Sequence, residues 1–395
     1  MNIYNTKPLV HQIHATPTMA VMLTTGGGTE VFPMLLKPGG GSATVLFGGI
    51  PYATKACVEA MGGKPDKFVS LPAARALAMR AFQDALRLRP EKDTPVVGIG
   101  ATSVLQRLPD ERLGRVHLIC VALQTDLSTT TWDLIVYMNS DDTPEMIRDK
   151  EETLVAYMML NALAAGCGIE DRIDLPWVTT APSMQTRTMK PDTLSMVEML
   201  SEGAPLHKVL FECTEDYIFA YPAPPFLYDG TIFPGSFNPL SPAHMNMHER
   251  AEAITGRKCA FELSILNADK PAVDFISLYE RLKTFQQPGK TYYVWVTNAP
   301  LFVQKAELFQ FRKLVAGFDT VKRLVDPKYG RTVRDVVAEF QNRDMTLLVF
   351  GRVTEDGFEN DLSSLPPEFA GLCTVIEDFR MDISSTELRK QKLDI

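Results

Sequence analysis

The run Gly235-Ser236-Phe237-Asn238-Pro239-Leu240-Ser241-Pro242-Ala243-His244 concentrates residue types suited to holding phosphate. Thr231-Ile232-Phe233 leads in as the end of a strand. Gly235 and Ser236 allow a sharp turn without a large side chain, and Pro239 and Pro242 hold the loop extended. From Ala243 to Ala251 the pattern reads as the start of a helix. A strand, a tight loop and a helix N-terminus aim unpaired backbone N–H groups and the positive end of a helix dipole at an anion. Ser241 and His244 add a hydroxyl and an imidazole. A second polar cluster, Ser384-Ser385-Thr386, is followed by Arg389 one helical turn later. Hydroxyls and a planar guanidinium on one helical face also suit phosphate oxygens.

The first stretch resembles the nucleotidyltransferase loop G-S/T-F-D/N-P-x-H-x-G-H. Gly235 through Pro239 match it without a gap, and His244 matches its second histidine. Ile383-Ser384-Ser385-Thr386-Glu387-Leu388-Arg389 resembles the same superfamily's I-S-S-T-x-I/L-R signature. Ser241 stands where the first histidine is expected, and Ala243 where the glycine is. The resemblance implies in-line attack on an α-phosphate with pyrophosphate leaving. Such an enzyme mainly positions the reactants and neutralises growing charge. It assigns Gly235, Ser236, Phe237 and Asn238 to the nucleotide phosphates, with Ser384, Ser385, Thr386 and Arg389. His244 and Ser241 take the catalytic positions. It also implies Mg²⁺ bridging the leaving phosphates of ATP or CTP. No metal-ligand set stands in the sequence itself. A serine hydroxyl can hydrogen-bond a phosphate but cannot carry an imidazolium charge. One charge-assisted hydrogen bond is worth roughly 1.5–3 kcal/mol, on the order of 10–100-fold in rate.

At 395 residues with 45% hydrophobic content, the chain predicts two domains with large cores. A formal charge of −8 argues against a nucleic-acid partner but not against a small nucleotide. No window approaches the roughly 20 apolar residues of a membrane span. Met1 to Val10 lacks the apolar core of a signal peptide, so a cytoplasmic protein is expected. The six cysteines form no C-x-x-C pair and read as small buried thiols in a reducing compartment.

In the first half, Thr18 to Leu23 reads as a buried strand, followed by the glycine loop Thr24-Thr25-Gly26-Gly27-Gly28-Thr29. Thr44 to Ile50 and Pro95 to Gly100 read as further strands. Arg115–Ala122 and Thr130–Tyr137 read as an antiparallel pair, and Ala73–Leu88 and Pro144–Ala165 as helices. From Thr16 to Gly168 this order resembles the CinA C-terminal family, which includes nicotinamide-nucleotide amidases. Thr25-Gly26-Gly27 matches its T-G-G loop, and Gly48-Gly49-Ile50-Pro51-Tyr52 its G-G-V-V-x-Y. The family's serine falls on Leu23 and its lysine on Cys57, so amidase activity is not expected. The resemblance leaves open a homo-oligomer built through this domain, and a nucleotide at its glycine loops.

Asp174–Lys190 reads as a linker, Pro191–Ser201 as a helix, and Val209–Tyr221 as a hairpin. Beyond His244, strands at Cys259–Ile265, Thr291–Val296, Phe311–Ala316 and Met345–Phe350 alternate with helices, which predicts a parallel sheet. The expected division is 1–172 CinA-like, 173–228 linker, helix and hairpin, and 229–395 a Rossmann-like nucleotidyltransferase domain. Both domains are thus expected to be α/β. Loops after strands supply further candidates. Gly317 and Asp319 resemble the G-x-D step of nicotinamide-mononucleotide adenylyltransferases, and Arg352 that family's second arginine loop. Lys270, Thr297 and Asn298 are placed to meet an acceptor. By analogy of both halves, the expected reaction is adenylyl transfer from ATP to a nicotinamide-type mononucleotide. The motifs do not read the base, so a cytidylyltransferase stays open. So does a nucleotide-binding pseudoenzyme, because of Ser241.

Overall fold

The computed structural model describes residues 5–108, 117–136, 142–177, 184–201, 203–221, 229–268, 270–310, 312–324, 326, 332–354, 357–359, 362 and 365–376. The chain divides into two compact units. The first comprises Met1–Pro191, Ser201–Gly203 and Asp269–Ser277; the second comprises Asp192–Leu200, Ala204–Ala268 and Leu278–Ile395. No described helix is long and apolar enough to cross a membrane.

The first unit contains α1 (Lys7–His14), β1 (Met19–Thr25), α2 (Val31–Leu36), β2 (Val45–Gly49), α3 (Thr54–Ala60), α4 (Leu71–Leu88), β3 (Val96–Ser103), β4 (His117–Gln124), β5 (Thr129–Val136), α5 (Pro144–Gly166) and β6 (Gln185–Met189). Its sheet runs β2-β1-β3-β4-β5-β6. β1 pairs in parallel with β2 and β3, and the remaining pairings are antiparallel. The continuous apolar run of β1 is buried on both faces, which is why it does not alternate. α4 lies close against β3. A Cβ on Gly98 would stand 2.1 Å from the Phe82 backbone, and one on Gly100 2.3 Å from the Ala74 carbonyl. The alanines at 73, 74, 78, 81 and 85 on α4 permit that approach. Ser70 and Thr143 cap α4 and α5 through their hydroxyls. The stretch read as a linker supplies β6, whose partner is β5.

The second unit contains α6 (Leu194–Glu198), β7 (Lys208–Cys213), β8 (Ile218–Tyr221), β9 (Thr231–Pro234), α7 (Pro242–Thr255), β10 (Cys259–Ser264), α8 (Phe275–Lys283), β11 (Tyr292–Thr297), α9 (Phe302–Leu308), β12 (Lys313–Gly317), α10 (Phe318–Leu324), α11 (Val333–Asn342), β13 (Thr346–Phe350), β14 (Arg352–Thr354), β15 (Gly357–Glu359), α12 (Pro367–Ala370) and β16 (Cys373–Ile376). The first residues of α8 are counted with the first unit. The large sheet runs β16-β13-β12-β9-β10-β11-β7-β8. From β16 to β11 every pairing is parallel. That segment reproduces the 3-2-1-4-5-6 order of doubly wound folds, with β9 as its first strand. The hairpin β7–β8, read as part of the connection, is instead added antiparallel to the β11 edge. The chain winds outward from β9 through β10 and β11, then returns to β12 on the other side. β9 and β12 are neighbours, with Leu314 opposite Ile232. The switch point, where such sheets take ligands, therefore lies between these two strands.

Candidate functional site

Gly235 to Ser241 leave β9 at the switch point and enter α7. Gly317 ends β12 beside it, and Asp319 lies in α10 directly after. The loops singled out on either side of the chain's return are thus brought to adjacent carboxyl ends. Ser236 and Asn238 are exposed on the loop. Arg352 opens β14 after β13. Ser384, Ser385, Thr386 and Arg389 lie outside the described residues.

The loop is held from below by aromatic packing. Phe237 is 1% exposed and takes a positive φ of 41°. Its ring meets Phe233 at 5.3 Å, Phe261 at 5.0 Å, Phe285 at 5.7 Å and His244 at 5.1 Å. Expected at the nucleotide, the Phe237 side chain is instead the loop's anchor in the core. The same ring explains Gly235, where a Cβ would stand 2.5 Å from it. Gly235→Ala is expected to destabilise the second unit by roughly 1–3 kcal/mol, because a buried ring in a packed cluster has nowhere to move. A thermal melt of the full chain checks this; an unchanged midpoint would mean that the ring yields.

Ser241 is the N-cap of α7 and 2% exposed. Its Oγ accepts from His244 N–H at 3.3 Å, and its N–H donates to His244 Nδ1 at 3.1 Å. The hydroxyl also lies 2.8 Å from Nδ1. This reciprocal capping box occupies the serine hydroxyl at the N-terminus of α7. Because Nδ1 accepts, the neutral ring carries its proton on Nε2. Burial lowers the His244 pKa from the ordinary 6.5 to about 4. The ring is therefore a neutral donor near pH 7, not an imidazolium. Between about pH 6.5 and 4 the unfolded chain takes up the proton that the folded ring refuses, so stability falls as pH falls through that window. The slope approaches about 1.4 kcal/mol per pH unit. Burial also lowers His248, which adds the same sign. Melts from pH 7 to 4.5 should show a shallower loss for His244→Gln than for the native chain.

Three acceptor candidates are otherwise engaged. Asn298 is 3% exposed; its Oδ1 accepts from His207 N–H at 2.7 Å and its Nδ2 donates to the Pro205 carbonyl at 2.8 Å. Thr297 is fully buried and donates to Glu262 Oε1 at 2.5 Å. Both are internal struts at the end of β11. Lys270 belongs to the first unit, where it packs beside Gly62 and Gly63. Sequence reading passed over Arg281, whose Nη1 donates to the Ser236 carbonyl at 3.3 Å. It also passed over the buried pair of Glu262 and Lys305. A lone carboxylate inside the apolar strand Cys259–Ile265 was the available signal.

Residues 232–391 match the cytidylyltransferase-like family model. Solved structures that resemble part of the chain include two competence- or damage-inducible proteins. The competence/damage-inducible protein CihA from Agrobacterium tumefaciens is 18% identical with a TM-score of 0.31, covering 42% of this chain and 99% of its own. A competence or damage-inducible protein from Enterobacter asburiae is 12% identical with a TM-score of 0.29, covering 40% and 99%. No curated protein matches the chain.

In the first unit, the glycine loop after β1 borders a cleft of about 340 Å³ that Tyr52, Arg148, Asp149 and Glu152 also line. Thr29 N–H and Oγ1 donate to Glu152 Oε1 at 2.6 and 2.5 Å, so an internal carboxylate already holds these loop donors. Leu23 and Cys57 are buried, and the Cys57 thiol donates to the Pro51 carbonyl at 2.8 Å. Thr24 Oγ1 donates to the Gly27 carbonyl. The Lys55 side chain is 90% exposed and lies 4.0 Å from Glu59. Leu23, Cys57, Thr24 and Lys55 do not come together as a hydroxyl–base pair.

Proposed function

We propose that the second unit transfers a nucleotidyl group from a nucleoside triphosphate to a phosphate-bearing acceptor, releasing pyrophosphate. The observation that carries this reading is the Gly235–His244 loop at the β9/β12 switch point, with a neutral histidine donor held at the first turn of α7. ATP as donor and a nicotinamide-type mononucleotide as acceptor is the reading we favour. The family match supports CTP as the second, since no loop contact reads the base.

Loop N–H groups and the α7 N-terminus bind the triphosphate. His244 Nε2–H donates to an α-phosphate oxygen, where charge grows during in-line attack. Gly317 and Asp319 border the nucleoside, and Ser384, Ser385, Thr386, Arg389 and Arg352 complete the phosphate contacts. Among the described residues no group of His, Cys, Asp or Glu side chains is assembled for a metal. Mg²⁺ would be held chiefly by the triphosphate oxygens, where it would neutralise charge on the leaving pyrophosphate. Pyrophosphate release, measured over ATP and CTP against mononucleotide and phospho-alcohol acceptors, tests the reading. Tight nucleotide binding with background release throughout would favour a binding-only protein.

The first unit is expected to leave nicotinamide mononucleotide intact, because Leu23 and Cys57 occupy the positions of the serine and lysine. Ammonia release that disappears in Thr24→Ala would refute that expectation.

A further inference from the structure

Glu262 and Lys305 are 0% and 5% exposed, yet both are ionisable. Lys305 Nζ lies 2.8 Å from each Glu262 oxygen and donates to the Ala299 carbonyl at 2.7 Å, so all three of its protons are used. Thr297 Oγ1 donates to Glu262 Oε1 and accepts from Ala299 N–H at 3.2 Å. The Thr297 carbonyl accepts from Ile265 N–H at 2.7 Å. The carboxyl ends of β10 and β11 and the turn into α9 are thereby locked together by directional bonds. The backbone of the same Glu262 faces β9, where its carbonyl accepts from Gly235 N–H at 3.0 Å.

An ion pair is a poor way to gain stability here. Desolvating two charges costs so much that apolar residues of similar volume are often as stable or more so. What such residues cannot supply is direction. We propose that the buried Glu262–Lys305 pair is a positioning element of the nucleotide loop, holding the β10 carbonyl that sets Gly235. The role at a nucleotide site rests on the function proposed above; the control of loop geometry does not.

The test is the full chain carrying Glu262→Leu with Lys305→Met. Three quantities are measured: the melting midpoint, amide hydrogen exchange over 235–241 without nucleotide, and calorimetric affinity for ATP and CTP. The midpoint should hold or rise. Exchange in the loop should accelerate about tenfold, and affinity should drop by a similar factor, the scale of one lost hydrogen bond. Unchanged loop exchange at an unchanged midpoint would overturn the proposal. So would a lowered midpoint with exchange raised equally throughout the second unit, which marks a purely structural pair. If the double variant does not fold, Thr297→Val decides, with faster exchange confined to 235–241 expected and unaltered exchange refuting. If the native chain binds neither nucleotide, the proposed function fails, while the exchange measurement still judges the pair.

Discussion

His244→Ala is expected to lower the rate of pyrophosphate release on the order of 100-fold, the usual cost of removing one preorganised donor from a site of developing negative charge. Triphosphate affinity should change much less, because loop N–H groups and the helix dipole persist without the ring. The donor is neutral, with its pKa near 4, so the rate should not fall as pH rises from 6 to 8 through loss of an imidazolium. His244→Gln offers an amide N–H and should recover part of the rate. The ring also closes the cap of α7, so His244→Ala removes an acceptor from Ser241 N–H as well. Melting both variants separates that loss from chemistry. An unaltered rate in His244→Ala would take the histidine out of the mechanism and leave binding alone to the loop.

Lys305→Met made alone should be the most damaging single change to stability. It leaves the Glu262 carboxylate fully buried with, among the described residues, the Thr297 hydroxyl donating to it. Breaking one side of a buried pair typically costs about 3–5 kcal/mol. For a unit of this size each kcal/mol shifts the midpoint by roughly 2–4 °C, so a fall on the order of 10 °C is expected. Adding Glu262→Leu should restore the midpoint. A mild loss in Lys305→Met would mean that water reaches the carboxylate.

Local signals were sufficient for much of this molecule. The loop from Gly235 to Pro239 is a contiguous pattern of small, rigid and polar residues, and its turn chemistry acts between near neighbours. The alternation of strands and helices after His244 implied a parallel sheet, because parallel neighbours need crossovers. The departures at Leu23 and Cys57 were also readable, since they are residue identities.

Other features depend on partners distant in sequence. Hairpin β7–β8 looks the same from sequence whether it stands in a connector or extends a sheet; its pairing with β11 is made across about eighty residues. Thr297 and Asn298 follow a strand, as ligand-binding residues do, but the fold turns one toward Glu262 and the other toward 205–207. Ser241 stands where the family has a histidine, and only the backbone of α7 shows that its hydroxyl is spent on a cap. Lys270 follows β10 in the chain but packs in the first unit. Sequence alone therefore determined which residue types are available for chemistry and which elements present them. The tertiary structure decided which of those groups are consumed in holding one another, because a polar side chain removed from water must find a partner wherever the fold provides one.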